Sequence, residues 1–488
     1  MSPLFCDHAV LQREMPVPVW GTSDPAATVV VSFAGHRAEA TADANGRWKA
    51  TLPVLNASAH PSEMTVQSGE STLVIRDILV GDLWLCSGQS NMSFALNRAN
   101  DAEREISSAA HPLIRLFDVP RVPAESPRRT VNAKWTACTP ETVKMFSAVA
   151  YFFGRDLSEV LKVPIGLIHS GYGGTVAQNW VPRSVLEDPR FNKVLELDRE
   201  RVAKLPEAMA AYRKALNDWE TSSPERRAAT SRPNEPAGIA HKGGPAHLYN
   251  GMIAPLVPYA VRGVLWYQGE SNRRDSAHYR QLLPELINGW RREWKQPRLP
   301  FIIVQIANYM PPEGEPKQRS IWAEIREVQR QVSLTVDDAP LVVTIDLGDS
   351  KDLHPKNKQD VGKRAALQAM SKVYGQSITA DGPILDSFEI NGDTVELSFK
   401  SAGKLELRGE GQFTVAGSDR VFHPAVAKIE NRRIIVKSDR VTQPLAVRYA
   451  WSADPRATLY NSDGLPASPF RTDDWPFTGP ILIGAPRQ

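Results

Sequence analysis

Apolar and polar positions change rhythm twice along this chain. Over residues 1–76, short apolar runs at 16–20, 27–33, 48–52, 64–66 and 72–75 are divided by turn clusters such as 21–25 and 43–46. No helical period runs through them, which predicts a small β-rich module. From residue 77 to 376, apolar strands alternate with amphipathic helices. Strands are expected at 79–86, 113–119, 163–169, 261–267, 301–307 and 341–347, and helices at 141–161, 206–219, 276–294, 321–332 and 360–374. The helix at 276–294 carries the clearest stripe, with Tyr279, Leu282, Leu283, Leu286, Ile287, Trp290 and Trp294 on one face. Such alternation predicts an α/β domain built on a parallel sheet with helices on both faces. Within it, a mainly polar and helical excursion spans about 190–247, read as a surface loop or lid. From 377 to 488 the period returns to two, and Asn391 and Gly392 mark a hairpin between two such runs. A second β-rich module is expected there.

Length and charge narrow the function classes. A chain of 488 residues accommodates about three domains. Fifty-eight basic residues against fifty-five acidic ones leave +3, without a long run of one sign, so nucleic acid and anionic membranes gain no support as partners. No apolar run reaches membrane-spanning length, and residues 1–15 lack the charged and apolar regions of a secretory signal. Cys6, Cys86 and Cys138 are odd in number and widely spaced, so neither a disulfide framework nor a metal site is implied.

The polar clusters of interest follow strands, where open α/β sheets gather their reactive groups. Ser90, in the run Ser87-Gly88-Gln89-Ser90-Asn91, is a candidate nucleophile, with helix capping as its other reading. Residues 171–175 bring Gly173 and Gly174, whose N–H groups can approach an oxyanion. In residues 268–272, the amide of Gln268 or Asn272 can complete an oxyanion site and Glu270 can orient substrate, unless the cluster only leads into a helix. His354 has Asp352 two positions before it and Asp346 and Asp349 nearby, offering a serine its base and that base its carboxylate. Of the other histidines, His169 and His247 lack an acidic residue close by in sequence, and His278, which has Asp275, sits inside an amphipathic helix.

With these loops in view, the chain resembles the sialate O-acetylesterase family of the SGNH hydrolases. The motifs are GDLWLCSGQSNM (81–92), GYGGT (171–175), WYQGESN (266–272) and DLHP (352–355), with VLQREMPVPVWG (10–21) and LYNSDGLPASPFRTDDW (459–475) beside them. The resemblance covers nearly the whole chain. It implies a flavodoxin-like, three-layer αβα sheet domain flanked by β-sandwich-like modules. It also implies an exported (periplasmic or secreted) serine O-acetylesterase acting on acetylated sugars with no cofactor, its signal peptide removed.

On this resemblance Ser90 is the nucleophile, His354 the base and Asp352 the orienting acid. The N–H groups of Ser90 and of Gly173 or Gly174, with the side chain of Gln268 or Asn272, form the oxyanion hole, and Gln89, Asn91, Glu270 and Arg273 are the expected substrate contacts. Two departures keep alternatives open. SGNH enzymes commonly place the acid three residues before the histidine, where this chain has Lys351. Asp349 therefore competes with Asp352, and a Ser–His dyad helped by Glu270 stands beside both. The third block reads QGES where many relatives have an Asn-Asp pair, so the side-chain oxyanion donor is not assigned. Sialate, xylan and xyloglucan esters would all suit these loops.

Three other readings compete. A lipase of the α/β-hydrolase type needs a G-x-S-x-G elbow that is absent. A glycosidase using Glu270 would leave Ser90 and His354 without a task. A catalytically silent sugar binder would use tryptophans such as Trp20, Trp180 or Trp475.

Overall fold

One strand, β1 (Ser71–Gly88), joins two parts of the molecule. Its first half pairs antiparallel with Ser58–Ser68, and its second half lies between two parallel neighbours in a larger sheet. The computed structural model describes residues 1–310, 320–400, 403–410 and 412–476; the end of the expected C-terminal module, 477–488, lies outside the described residues.

The other strands of the larger sheet are β2 (His111–Asp118), β3 (Trp135–Cys138), β4 (Ile165–Gly171), β5 (Gly263–Tyr267), β6 (Phe301–Val304) and β7 (Leu341–Val342). Their spatial order is β7-β6-β5-β1-β4-β2-β3. All neighbours are parallel except β3, which runs antiparallel to β2 at the edge. The chain first crosses to β2, returns to place β4 against β1, and then builds β5, β6 and β7 on the other side. The reversal beside β1 opens a crevice at its carboxyl end, the usual ligand site of such sheets.

Alternate residues of each strand enter different cores. Trp84, Cys86, Leu265, Tyr267, Ile302 and Val304 pack with helices α1 (Ala148–Leu161) and α5 (Gln359–Gln368). Leu83, Leu85, Val264, Trp266, Phe301 and Ile303 pack with α3 (Ser276–Trp294), α4 (Ile321–Thr335) and the N-terminal strands. The long helix α2 (Lys193–Glu220) buries only Leu195, so the excursion is a solvated arm.

The two β-rich ends are fastened to this sheet by buried charges. Asp82 of β1 is fully buried; it accepts hydrogen bonds from Gln12, Arg13 and Arg262, and Gln12 returns its carbonyl oxygen to the Leu83 N–H at 2.8 Å. The aspartate of the GDLWLC motif and the VLQRE motif are therefore two halves of one clamp. Residue 76, where the sequence period changes, lies inside β1. The change marks an exchange of strand partners within unbroken chain. At the other end, the fully buried Arg326 of α4 donates to the carbonyls of Ile306, Ala307, Ser452 and Ala453. The C-terminal strands form an antiparallel seven-stranded sheet, entered by the expected hairpin of Ile384–Asn391 and Thr394–Lys400.

The tryptophans considered as sugar platforms have internal tasks. Trp180 is fully buried, Trp20 packs edge-on to Phe5, and Trp475 packs on Phe422. Among the described residues no helix is long and apolar enough to cross a membrane.

Candidate active site

Gly88 closes β1 and sets the turn that follows. Its φ is +144°, and a Cβ there would lie 2.1 Å from the Tyr267 carbonyl oxygen, so only glycine permits this approach of β1 to β5. The next N–H, of Gln89, donates to that same carbonyl at 3.0 Å, and the Gly88 carbonyl accepts from the Tyr172 N–H at 3.1 Å. The turn is thus gripped from both neighbouring strands. Ser90 stands on it, in a turn rather than at the head of a long helix.

The Ser90 Oγ lies 2.8 Å from His354 Nε2. Burial pushes the His354 pKa below its ordinary 6.5, the nearby Lys358 pushes it further, and Asp352 opposes them. The imidazole is therefore neutral at pH 7 and available as a base. Asp352 differs from an orthodox triad acid. Its carboxylate accepts the His354 backbone N–H at 2.8 Å, while His354 Nδ1 is 3.8 Å away, beyond hydrogen-bonding reach. Asp349 accepts the Lys351 N–H and Asp346 pairs with Arg364, so neither serves the imidazole.

Gly173 lies against the nucleophile: a Cβ on it would be 3.3 Å from Ser90 Cβ. Gly174, at φ +72°, makes the bend that presents Gly173. The N–H groups of Ser90 and Gly173 have no protein acceptor among the described residues, as two oxyanion donors require. The amides expected to join them are differently employed. Gln268 Nε2 donates to Gln89 Oε1, the Thr175 carbonyl and Asn272 Oδ1. Asn272 Oδ1 also takes the Ala177 N–H, and its Nδ2 donates to Gln178 Oε1. Both side chains brace the glycine loop against the 268–272 loop.

The residues expected to contact substrate also have internal partners. Gln89, Asn91 and Glu270 are 2%, 1% and 3% exposed, which leaves no surface for a sugar. Asn91 Nδ2 donates to Glu270 Oε1 at 2.6 Å and to the Leu353 carbonyl at 3.1 Å. Arg273, half-buried, donates to the Glu270 carbonyl and lies over Trp322. Together these residues form the floor of the site. Glu270, held inside this floor, is not placed as a glycosidase carboxylate.

Lys358 escaped the sequence reading. Its Nζ donates to Asn91 Oδ1 at 2.7 Å from a fully buried position. Lysine so buried is rare, and hydropathy gives no sign of it. A second Ser–His–Asp chain was also invisible, because it is assembled across strands. His169 Nδ1 meets Asp118 at 2.7 Å, its partner in the β4–β2 register, and Nε2 meets Ser93 Oγ at 3.2 Å. Ser93 has Gly171 crowded against its hydroxyl, where an added Cβ would lie 2.4 Å from Oγ, while the N–H groups of Ser90 and Gly173 lack a protein acceptor among the described residues.

Residues 238–371, which include His354, Glu270 and Lys358, match the family model described as carbohydrate esterase, sialic acid-specific acetylesterase. The chain is 29% identical to mouse sialate O-acetylesterase over 95% of its length and 92% of that protein, and 28% identical to the human one over 94% and 90%. A crystal structure of a carbohydrate acetylesterase from Xanthomonas citri superposes with a TM-score of 0.83 at 37% identity, over 97% of this chain and 99% of that one. Agreement of sequence and fold over essentially the entire length makes this chain a carboxylic ester hydrolase belonging to the sialate O-acetylesterase family of carbohydrate esterases.

Proposed function

We propose that this enzyme removes O-acetyl groups from sugars through an acetyl-Ser90 intermediate. The observation that carries the reading is the 2.8 Å contact of Ser90 Oγ with His354 Nε2 beside the N–H groups of Ser90 and Gly173, which are unpaired among the described residues. His354 takes the hydroxyl proton as Oγ attacks the acetyl carbonyl, and the two N–H groups hold the resulting oxyanion. Collapse breaks the ester bond, and the proton on His354 passes to the departing sugar oxygen. Water, deprotonated by His354, then attacks the acetyl-serine and releases acetate. We assign the central domain to the SGNH three-layer αβα class, on the partition of its strand residues between two helix-bearing cores.

An acetylated sialic acid is favoured over neutral xylan or xyloglucan esters by the cations beside the glycine loop. Lys242 and Arg121 are exposed and lie 5.5 Å and 6.0 Å from the Tyr172 ring centre, and a Cβ on Gly174 would be 3.8 Å from Lys242 Nζ. A sugar carboxylate can pair with them while its acetyl group meets Ser90. The test is acetate release from 9-O-acetyl sialic acid, acetylated xylan, acetylated xyloglucan and p-nitrophenyl acetate, with wild type and Lys242→Gln. The variant should raise KM for the sialate and leave p-nitrophenyl acetate unchanged. Faster turnover of the neutral polysaccharides, indifferent to Lys242, would reject the sialate reading.

A further inference from the structure

We propose that Lys358 is a positioning residue of the ester-cleaving site: through the Asn91 amide it locks the serine turn to the histidine loop, and it sets a positive charge behind His354. The proposal rests on the reading of Ser90 and His354 as the catalytic pair.

The position is unfavourable for a lysine on two counts. It is 0% exposed, and it is the N-cap residue of α5, at the helix end whose dipole repels a cation. Its ammonium meets the Asn91 Oδ1 and the ring faces of Phe94 and Tyr267, at 4.9 Å and 5.6 Å from their centres. These contacts give the Asn91 amide a single orientation. An ammonium only donates, whereas the Glu270 carboxylate and the Leu353 carbonyl only accept. Oδ1 must therefore face Lys358, and Nδ2 must face Glu270 and Leu353. Asn91 directly follows Ser90, and Leu353 directly precedes His354. One amide held from three sides thus sets the separation of the two reacting groups, and among the described residues only Lys358 donates to its oxygen end.

The charge acts alongside the geometry. Facing His354 are Lys358 and Arg98, both cationic, the Asp352 carboxylate, and the Phe94 ring at 6.5 Å between centres. Lys358 is itself pushed down to about 7 by burial, against the pull of Glu270 and Asp352 and with the push of Arg98. Below neutrality, where His354 takes up its proton, Lys358 is charged and opposes that uptake.

The test is the pH dependence of kcat and kcat/KM on p-nitrophenyl acetate for Lys358→Met and Lys358→Arg, with Ser90→Ala and His354→Ala alongside. Lys358→Met should lower kcat by about 10²-fold with KM little changed. It should also move the acid limb of kcat/KM to higher pH by roughly half a unit or more. Lys358→Arg, which keeps the charge, should lower kcat and leave the limb where wild type has it. A Lys358→Met enzyme with wild-type kcat, or with lowered kcat and an unmoved limb, overturns the proposal, since a lysine that only fills space predicts the latter. Should Lys358→Met not fold by circular dichroism, the arginine variant decides, and a shifted limb there also overturns it. Activity surviving in Ser90→Ala or His354→Ala would instead reject the catalytic pair. Loss in both, with Lys358→Met like wild type, would reject Lys358 alone.

Discussion

Two serines three residues apart each meet an imidazole, and the proposed oxyanion donors lie beside Ser90. Ser90→Ala should therefore abolish acetate release by about 10⁴-fold or more. Ser93→Ala should leave kcat/KM near wild type, although Ser93 belongs to the Ser–His–Asp chain whose carboxylate, Asp118, is within hydrogen-bonding reach of its histidine. Equal losses would show that the reading around Ser90 is too narrow. The 3.8 Å gap from Asp352 to His354 Nδ1 argues that this carboxylate does less than a triad acid, whose removal costs about 10⁴-fold. Asp352→Asn should lower kcat/KM by only about 10-fold. Because Asp352 raises the His354 pKa, its removal should move the acid limb to lower pH, opposite in sign to the shift expected for Lys358→Met. That Ser90, His354 and Gly173 come together was legible in the sequence, because each follows a strand of one sheet and post-strand loops share its carboxyl edge. Gln268, Asn272, Glu270 and Asn91 were legible as polar clusters but not as floor, since no sequence pattern tells a polar side chain facing the crevice from one facing its neighbours. The His169–Asp118 pair depends on strand register, which the spacing of single residues does not record.

At the scale of elements, period and punctuation served well where a helix or strand is uniform. The stripe of α3 predicts its bounds, and Thr139 caps a short helix, Pro140–Val143, where the expected helix begins. The span 141–161 instead breaks into two helices, because Ser147 caps α1 through the Ala150 N–H while its hydroxyl donates to the Met92 carbonyl. One hydroxyl thus starts a helix and tethers the chain just beyond the serine turn. Ser147→Ala should lower stability by about 1 kcal/mol in urea titration. The expected strand at 341–347 ends at Val342, since the Val343 carbonyl is taken by Arg364, which also holds Asp346. Gly88→Ala sets a Cβ against the Tyr267 carbonyl at a positive φ. It should cost about 3 kcal/mol or more, read as a lower urea midpoint, and should disable the turn even in the fraction that folds.

For the whole molecule, two changes of sequence rhythm suggested three units in a row; the N-terminal strands, the α3 and α4 helices and Ala453 of the C-terminal part share one apolar core. Charges buried at Asp82 and Arg326 fasten the ends, and nothing in hydropathy distinguishes them from surface charges. Limited trypsin digestion should accordingly cut first in the solvated arm, at Arg227 and Lys242, and spare residues 69–89, where β1 passes from one sheet partner to another. An early cut in that stretch would mean that the parts are separable. The central place of β1 has a consequence in time as well. Its flanking strands begin at Ile165 and Gly263, and the base comes from residue 354. A ribosome therefore releases the serine long before it makes the partners that hold and activate it. On the proposed mechanism the growing chain stays chemically silent until most of it has been synthesised, and an interrupted product carries Ser90 without the means to use it.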